Sequence, residues 1–221
     1  MTVLQGSPEW HQLRLGKAAA SRVADIIRKG KGGALSLSRA RYAGELVAER
    51  LSGLPTVGFK SADMEWGNQT EAQARDAYAF YRDADLIEVD FVDHPSIGMA
   101  GASPDRLVAP DGLLEIKCPA THTHIATLFG EPIDPDYIVQ MQWQMACTGR
   151  AWCDWASFDP RLPESMRLHV RRVPRDNARI AELETAVVDF LNEVRLTVHR
   201  LRAKYEPEAV KPGELLLMMA G

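Results

Sequence analysis

Asp105, Glu115 and Lys117 are the residues whose types and spacing promise chemistry. Asp105 closes the run Gly101-Ala102-Ser103-Pro104-Asp105, and Glu115-Ile116-Lys117 follows ten residues later. Between them lies Ala109-Pro110-Asp111-Gly112, whose Asp-Gly is a strong two-residue hairpin signal. The pattern predicts neighbouring antiparallel strands over 97–103 and 113–118. Side chains two apart in a strand share a face, so Glu115 and Lys117 project together while Ile116 points the other way. Asp105, at the end of the first strand, reaches that face across the hairpin. Two carboxylates and an ammonium at one point repel a further anion and attract a divalent cation, and such oxygen ligands suit Mg²⁺ or Mn²⁺. Leu113, Leu114, Ile116 and Cys118 make the setting apolar, where charges need partners or a metal. The plainer reading is a Pro-Asp turn and a Glu-x-Lys strand on solvated surface.

Other positions carry weaker signals. Ser21 reads as an N-cap before Val23, Ile26 and Ile27, and a helix start offers free amides to an anion. Arg14 lies close enough in sequence to join it; the alternative is that Ser21 only caps and Arg14 pairs with a surface acid. In a helix over 62–83, Met64, Gly67, Glu71, Ala74, Tyr78 and Tyr81 recur at steps of three and four, which sets Glu71 on a core-facing stripe. Glu71 is then either in a buried ion pair with Arg75 or Arg14, or a third acid facing Asp105 and Glu115. Gln140 sits beside the inner stripe Tyr137, Met141 and Met145 of a helix over 136–147, as a solvated or a site residue. The basic run over 28–33 is a phosphate contact or a solvated loop. Cys118, His122 and His124 lack a fourth ligand at zinc spacing.

The elements that must position these residues follow from periodicity. Strands are expected over 86–92, 151–158 and 166–173, the last presenting Arg167, His169 and Arg171 as a solvated edge. Helices are expected over 38–51, ended by Gly53, over 136–147, ended by Thr148-Gly149, and over 176–205. The order predicts an α/β fold, a mixed central sheet flanked by helices with the hairpin near its middle. The 221 residues suit a single domain, 1–221, with a C-terminal helix and tail. The apolar tail over 215–219 reads as a subunit contact or packed flap. No apolar run approaches the roughly 20 residues of a membrane span, and no signal peptide is visible. Three cysteines point to a reducing compartment. A net charge of −4 argues against coating DNA indiscriminately but permits a local basic lining. Gly101-Ala102-Ser103 begins like a serine-hydrolase elbow, yet Asp105 stands where its last glycine belongs.

The whole arrangement resembles the Pro-Asp…(Asp/Glu)-x-Lys nucleases. Along most of the chain it is similar to the bacteriophage lambda exonuclease and YqaJ-like viral recombinase family. The likeness is carried by Trp10-His11-Gln12-Leu13-Arg14-Leu15-Gly16, Ala20-Ser21 and Trp66-Gly67-Asn68-Gln69-Thr70-Glu71. It continues through Ser103-Pro104-Asp105, Glu115-Ile116-Lys117-Cys118-Pro119, Tyr137-Ile138-Val139-Gln140-Met141-Gln142 and Phe158-Asp159-Pro160. It implies a restriction-endonuclease-like core and two Mg²⁺ ions per site, with Mn²⁺ as a substitute. Asp105, Glu115 and the backbone carbonyl of Ile116 would be ligands, with Glu71 acting through a water. Lys117 would position or deprotonate the attacking water, the latter with a lowered pKa. Arg14, Ser21, Ser103 and Gln140 would bind a DNA 5′-phosphate, and Met64 would be an apolar wedge between strands. Thr123 and His124 stand where the family has an arginine, which puts one phosphate contact in question. The implied activity is 5′-to-3′ digestion of one strand of linear double-stranded DNA in a bacterial host cytoplasm, by a phage-type, ring-shaped homotrimer without membrane association. It would supply a single-strand annealing recombination protein. A related endonuclease, or a catalytically inactive DNA-binding protein, is the alternative.

Overall fold

Five consecutive residues of the Glu-x-Lys segment, Gly112 to Ile116, are buried, so this strand is central rather than half-exposed. The structure is a computed structural model describing residues 6–56 and 62–206; the side chains at 62–64 and 68 lie outside that description. The helices are α1 (Pro8–Arg14), α2 (Val23–Ile27), α3 (Leu37–Ser52), α4 (Ala62–Arg82), α5 (Thr121–Leu128), α6 (Pro135–Thr148) and α7 (Asn177–Tyr205). The strands are β1 (Ala18–Ala19), β2 (Leu86–Ile87), β3 (Val92–Asp93), β4 (Ala100–Ala102), β5 (Arg106–Val108), β6 (Gly112–Lys117), β7 (Trp152–Phe158) and β8 (Leu168–Pro174).

They form two mixed sheets, a five-stranded one in the order β2-β5-β6-β7-β8 and a three-stranded one in the order β1-β4-β3. β6 and β7 run parallel, with Glu115 opposite Trp155, and a parallel pair needs a long crossover, here α5 and α6. Period-two alternation sends Leu113 against Met141 and Met145 of α6. It sends Leu114 and Ile116 against Ala74 and Tyr78 of α4 on the opposite face. A third cluster gathers α2, α3 and α7 around Trp143 and the alanines of β1 and β4.

The expected glycines end α3 and α6, and the structure adds the caps that start them. Ser36 Oγ accepts from the Arg39 amide at 3.2 Å at the start of α3, and Gly53 ends it at φ 69°. Asp134 caps α6, and Gly149 ends it in the left-handed region. Strand pairing differs from expectation. The segment over 97–103 does not pair with β6; β4 belongs to the smaller sheet, and β5 is the hairpin partner of β6. Pro104 offers no N–H to a ladder, and the chain changes sheets there. The hairpin loop is Ala109-Pro110-Asp111, because Gly112 already pairs with Val108. Gly112 is needed for a different reason: a Cβ there would fall 2.1 Å from the Trp152 ring.

The strand expected over 86–92 is two short ones in separate sheets. Arg171 is no solvated edge charge. Its guanidinium donates to the carbonyls of Thr127, at 2.9 Å, and Glu131 at the end of α5. The 215–219 tail lies outside the described residues. Among the described residues no helix is long and apolar enough to cross a membrane.

Candidate active site

Asp105 meets Glu115 and Lys117 by a route the hairpin reading did not anticipate. It lies at the joint between the sheets, just ahead of β5, and Arg106 opposite Leu114 brings that joint beside β6. The Ile116 amide donates to Asp105 Oδ2 at 2.6 Å. Glu115 and Lys117 share a face as expected, for Lys117 Nζ donates to Glu115 Oε1 at 2.5 Å. Glu115 is 2 % exposed, and α6 supplies its other donors. Gln140 Nε2 donates to Oε1 at 2.6 Å and Gln144 Nε2 to Oε2 at 2.6 Å. Residues four apart on a helix lie on one face, which lets both amides reach one carboxylate. Lys117 Nζ also lies 4.7 Å from the centre of the Tyr137 ring.

Charge at this point is unbalanced. Burial, then Glu115 and Glu71, push the Asp105 carboxyl well above the usual aspartate value, against Lys117 and the Ile116 amide. Burial draws Lys117 down, but Glu115 and Asp105 outweigh it and hold the ammonium above the ordinary lysine value. With only protein groups acting on it, Lys117 is held protonated by its two adjacent acids; the lowered pKa of a base needs the charge of a bound cation as well. Glu71 is not core-facing. The buried face of α4 is Thr70, Ala74 and Tyr78, and Tyr81 is exposed. Glu71 stands at the rim with its side chain 26 % exposed, paired with Arg75 at 3.2 Å. The ion pair is thus realised with Arg75, and the same carboxylate still acts on Asp105.

The donors fit a hard divalent cation. A carboxylate offers about four lone-pair positions. Three donors occupy those of Glu115, which leaves one. Asp105 Oδ1 receives no protein hydrogen bond among the described residues. Burial first, and then the neighbouring Glu115 and Glu71, disfavour its ionised form, and a bound cation would offset both. Among the described residues no three His, Cys, Asp or Glu side chains converge on one ion. Two carboxylates, a backbone carbonyl and waters match the way Mg²⁺ is usually held. His124 has no nitrogen left for a metal: Nδ1 bonds Ser157 Oγ at 2.7 Å and Nε2 the Met166 carbonyl at 2.9 Å, tying α5 to β7.

A second cluster lies two residues upstream of Asp105. Trp10 Nε1 donates to Ser103 Oγ at 3.1 Å, and the Arg14 guanidinium lies 4.0 Å over the Trp10 ring. The accepted bond turns the Ser103 hydroxyl proton away from Trp10, toward a further acceptor. Burial lowers the Arg14 pKa, and no carboxylate pairs with it among the described residues. A half-buried guanidinium beside a directed hydroxyl suits an anion. Ser21 does not cap α2; it is exposed on the turn Ala20–Arg22, and Arg22 occupies the cap without a side-chain bond. Gln140 belongs with the acids rather than with this cluster. Met64 falls in the first turn of α4, and its side chain lies outside the described residues. Arg28 of the basic run pairs with Asp136, leaving Lys29 and Lys31 exposed.

Sequence reasoning missed Trp10 and Gln144. Trp10 stands four residues before Arg14, a spacing that signals contact on a helix, and Gln144 repeats Gln140 one turn later.

A mixed sheet with an acid at its joint and a Glu-x-Lys strand at its centre defines a restriction-endonuclease-like protein. Residues 9–151 match the YqaJ-like viral recombinase domain, and the chain belongs to that family. An alkaline exonuclease from Laribacter hongkongensis is 45% identical, with 90% of this chain and 97% of that one covered and a TM-score of 0.84. The same enzyme in complex with dAMP aligns with the same identity, coverage and score. A phage-related exonuclease from Haemophilus somnus, 17% identical, shares the fold at a TM-score of 0.62 over 82% of this chain and 96% of that one. No curated protein sequence matches the chain.

Proposed function

We propose that this chain is a metal-dependent deoxyribonuclease that digests one strand of linear double-stranded DNA from its 5′ end. The observation that carries the reading is Asp105, Glu115 and Lys117 gathered around unbalanced negative charge. The 45% identity to an alkaline exonuclease supports it.

Phosphodiester hydrolysis needs an in-line water, charge relief on the non-bridging oxygens and a stabilised leaving oxygen. A bound Mg²⁺ or Mn²⁺ supplies charge relief and a more acidic water. Asp105, Glu115 and the Ile116 carbonyl would hold it, and Glu71 would orient a water. Lys117 would position the attacking water and, with its pKa drawn down by a bound cation, take the proton that water loses, or else steady negative charge developing on the phosphate. Gln140, half-buried, is placed to exchange Glu115 for a phosphate oxygen. Arg14, Ser21 and Ser103 receive the terminal 5′-phosphate. Only Pro104 separates Ser103 from Asp105, so this short link fixes the terminal phosphate relative to the acids and selects the ester that is cut. Family membership supports a ring-shaped homotrimer that hands its single-stranded product to an annealing protein in a bacterial cytoplasm.

Linear duplex incubated with and without Mg²⁺ tests the reading; activity that persists in chelator sinks it, and cutting of closed circles favours an endonuclease. Ends bearing a 5′-phosphate should be digested faster than dephosphorylated ends, and Arg14→Ala should remove that preference.

A further inference from the structure

We propose that Gln144 is a positioning residue for Glu115, fixing how that carboxylate faces a divalent cation. The inference rests on the metal-dependent reading above. Gln140 and Gln144 both bond Glu115, but they differ in surroundings. Gln140 is half-buried and shares Oε1 with Lys117, whereas Gln144 is 0 % exposed and alone on Oε2. Gln144 therefore cannot reach substrate; it acts only through Glu115.

Its orientation is determined. Turning the amide over would set its carbonyl oxygen against an ionised carboxylate, so the N–H must face Glu115. The carbonyl Oε1 is then left buried without a hydrogen-bond partner among the described residues. A buried amide with half its bonding unmet is unfavourable for folding. Met141 and Met145 flank it on the same helix, and a methionine would fill this position without the orphaned oxygen. The amide is therefore there for its N–H bond to Oε2. By holding Oε2 from the interior, Gln144 restrains the carboxylate from rotating and leaves one acceptor position on Oε2, since Oε1 already accepts from Lys117 and Gln140. Partners that orient a metal ligand in this way typically change ion affinity by about 10–100-fold when removed.

The test is Gln144→Met, matched in volume, with Gln144→Leu as a second variant should the first not fold. Calorimetric titration of the purified full chain with Mn²⁺ reads the ion directly. The Mg²⁺ dependence of linear-duplex digestion provides a second measurement. Binding of Mn²⁺ at least about tenfold weaker in a folded variant, with the KM for DNA unchanged and activity recovering at high Mg²⁺, supports the proposal. Unaltered Mn²⁺ affinity, with or without a fall in melting temperature, overturns it and leaves the nuclease reading standing. A wild-type chain that binds no Mn²⁺ overturns both.

Discussion

Glu115 and Asp154 are buried acids on adjacent parallel strands, one register step apart, yet they face opposite sides of the sheet and live differently. Asp154 is fully matched. Tyr78 donates its hydroxyl to Oδ2 at 2.8 Å, and Arg172 closes a fork, Nε to Oδ1 at 2.8 Å and Nη2 to Oδ2 at 3.0 Å. Arg172 is itself held 3.4 Å from the centre of the Trp152 ring. Glu115 is bonded by one lysine and two neutral amides, beside a second acid whose charge stays unmatched. A bidentate arginine on a buried acid locks a fold. Separate amides and a lysine hold an acid while leaving it able to take another ligand.

That contrast can be broken from either end. The largest effect belongs to Lys117→Ala, which should lower turnover by about a thousandfold, roughly 4 kcal/mol of barrier, while DNA binding persists. Normal turnover in this variant would remove Lys117 from the chemistry. Next is Arg172→Ala, which leaves Asp154 buried and unpaired; denaturant titration should show a loss of about 3 kcal/mol. Digestion per folded molecule should stay at the wild-type rate. Smaller again is Tyr78→Phe, which removes one of three bonds to Asp154 for about 1 kcal/mol.

Asp105→Asn should act on stability with the opposite sign, in a pH-dependent way. Folding raises the Asp105 pKa, so the native state holds that proton more tightly than the unfolded chain. Stability is therefore lost as pH rises from the ordinary carboxylate range through the raised value. Asparagine cannot ionise, yet it keeps an acceptor for the Ile116 amide. Above that window the variant should melt higher than wild type, below it the two should converge, and activity should vanish. A variant that melts lower at alkaline pH would show that the charge around Asp105 is already balanced.

The legible part of the site was the part encoded within a few residues. Glu115 and Lys117 had to share a face because strands repeat every two residues, and the bond between them bears that out. Arg14 and Ser21 were visible as residues, but the capping role read for Ser21 failed because a tight turn replaces the first turn of the helix. The α4 stripe was right at Ala74 and Tyr78, but one turn earlier the buried position is Thr70, which leaves Glu71 at the rim. Gln144 was invisible because polar residues beside an apolar stripe normally face water, and nothing local says that a buried carboxylate waits for this one.

The sequence by itself determined the helix ends at Gly53 and Gly149, the alternation of β6, and which acids and amine were available. Left-handed glycines and the two-residue pleat depend on sterics and hydrogen bonds within a turn or two of chain. Only the tertiary structure decided that β5 rather than β4 pairs with β6, that Asp105 arrives from a joint between two sheets, and that Trp10 holds Ser103. β5 is free to pair with β6 because β4 is taken by β1, far earlier in the chain, and Trp10 is as distant from Ser103. Which strand wins is settled by burying apolar area on both faces of β6 while satisfying every polar group taken inside with it, a condition no short window of sequence contains.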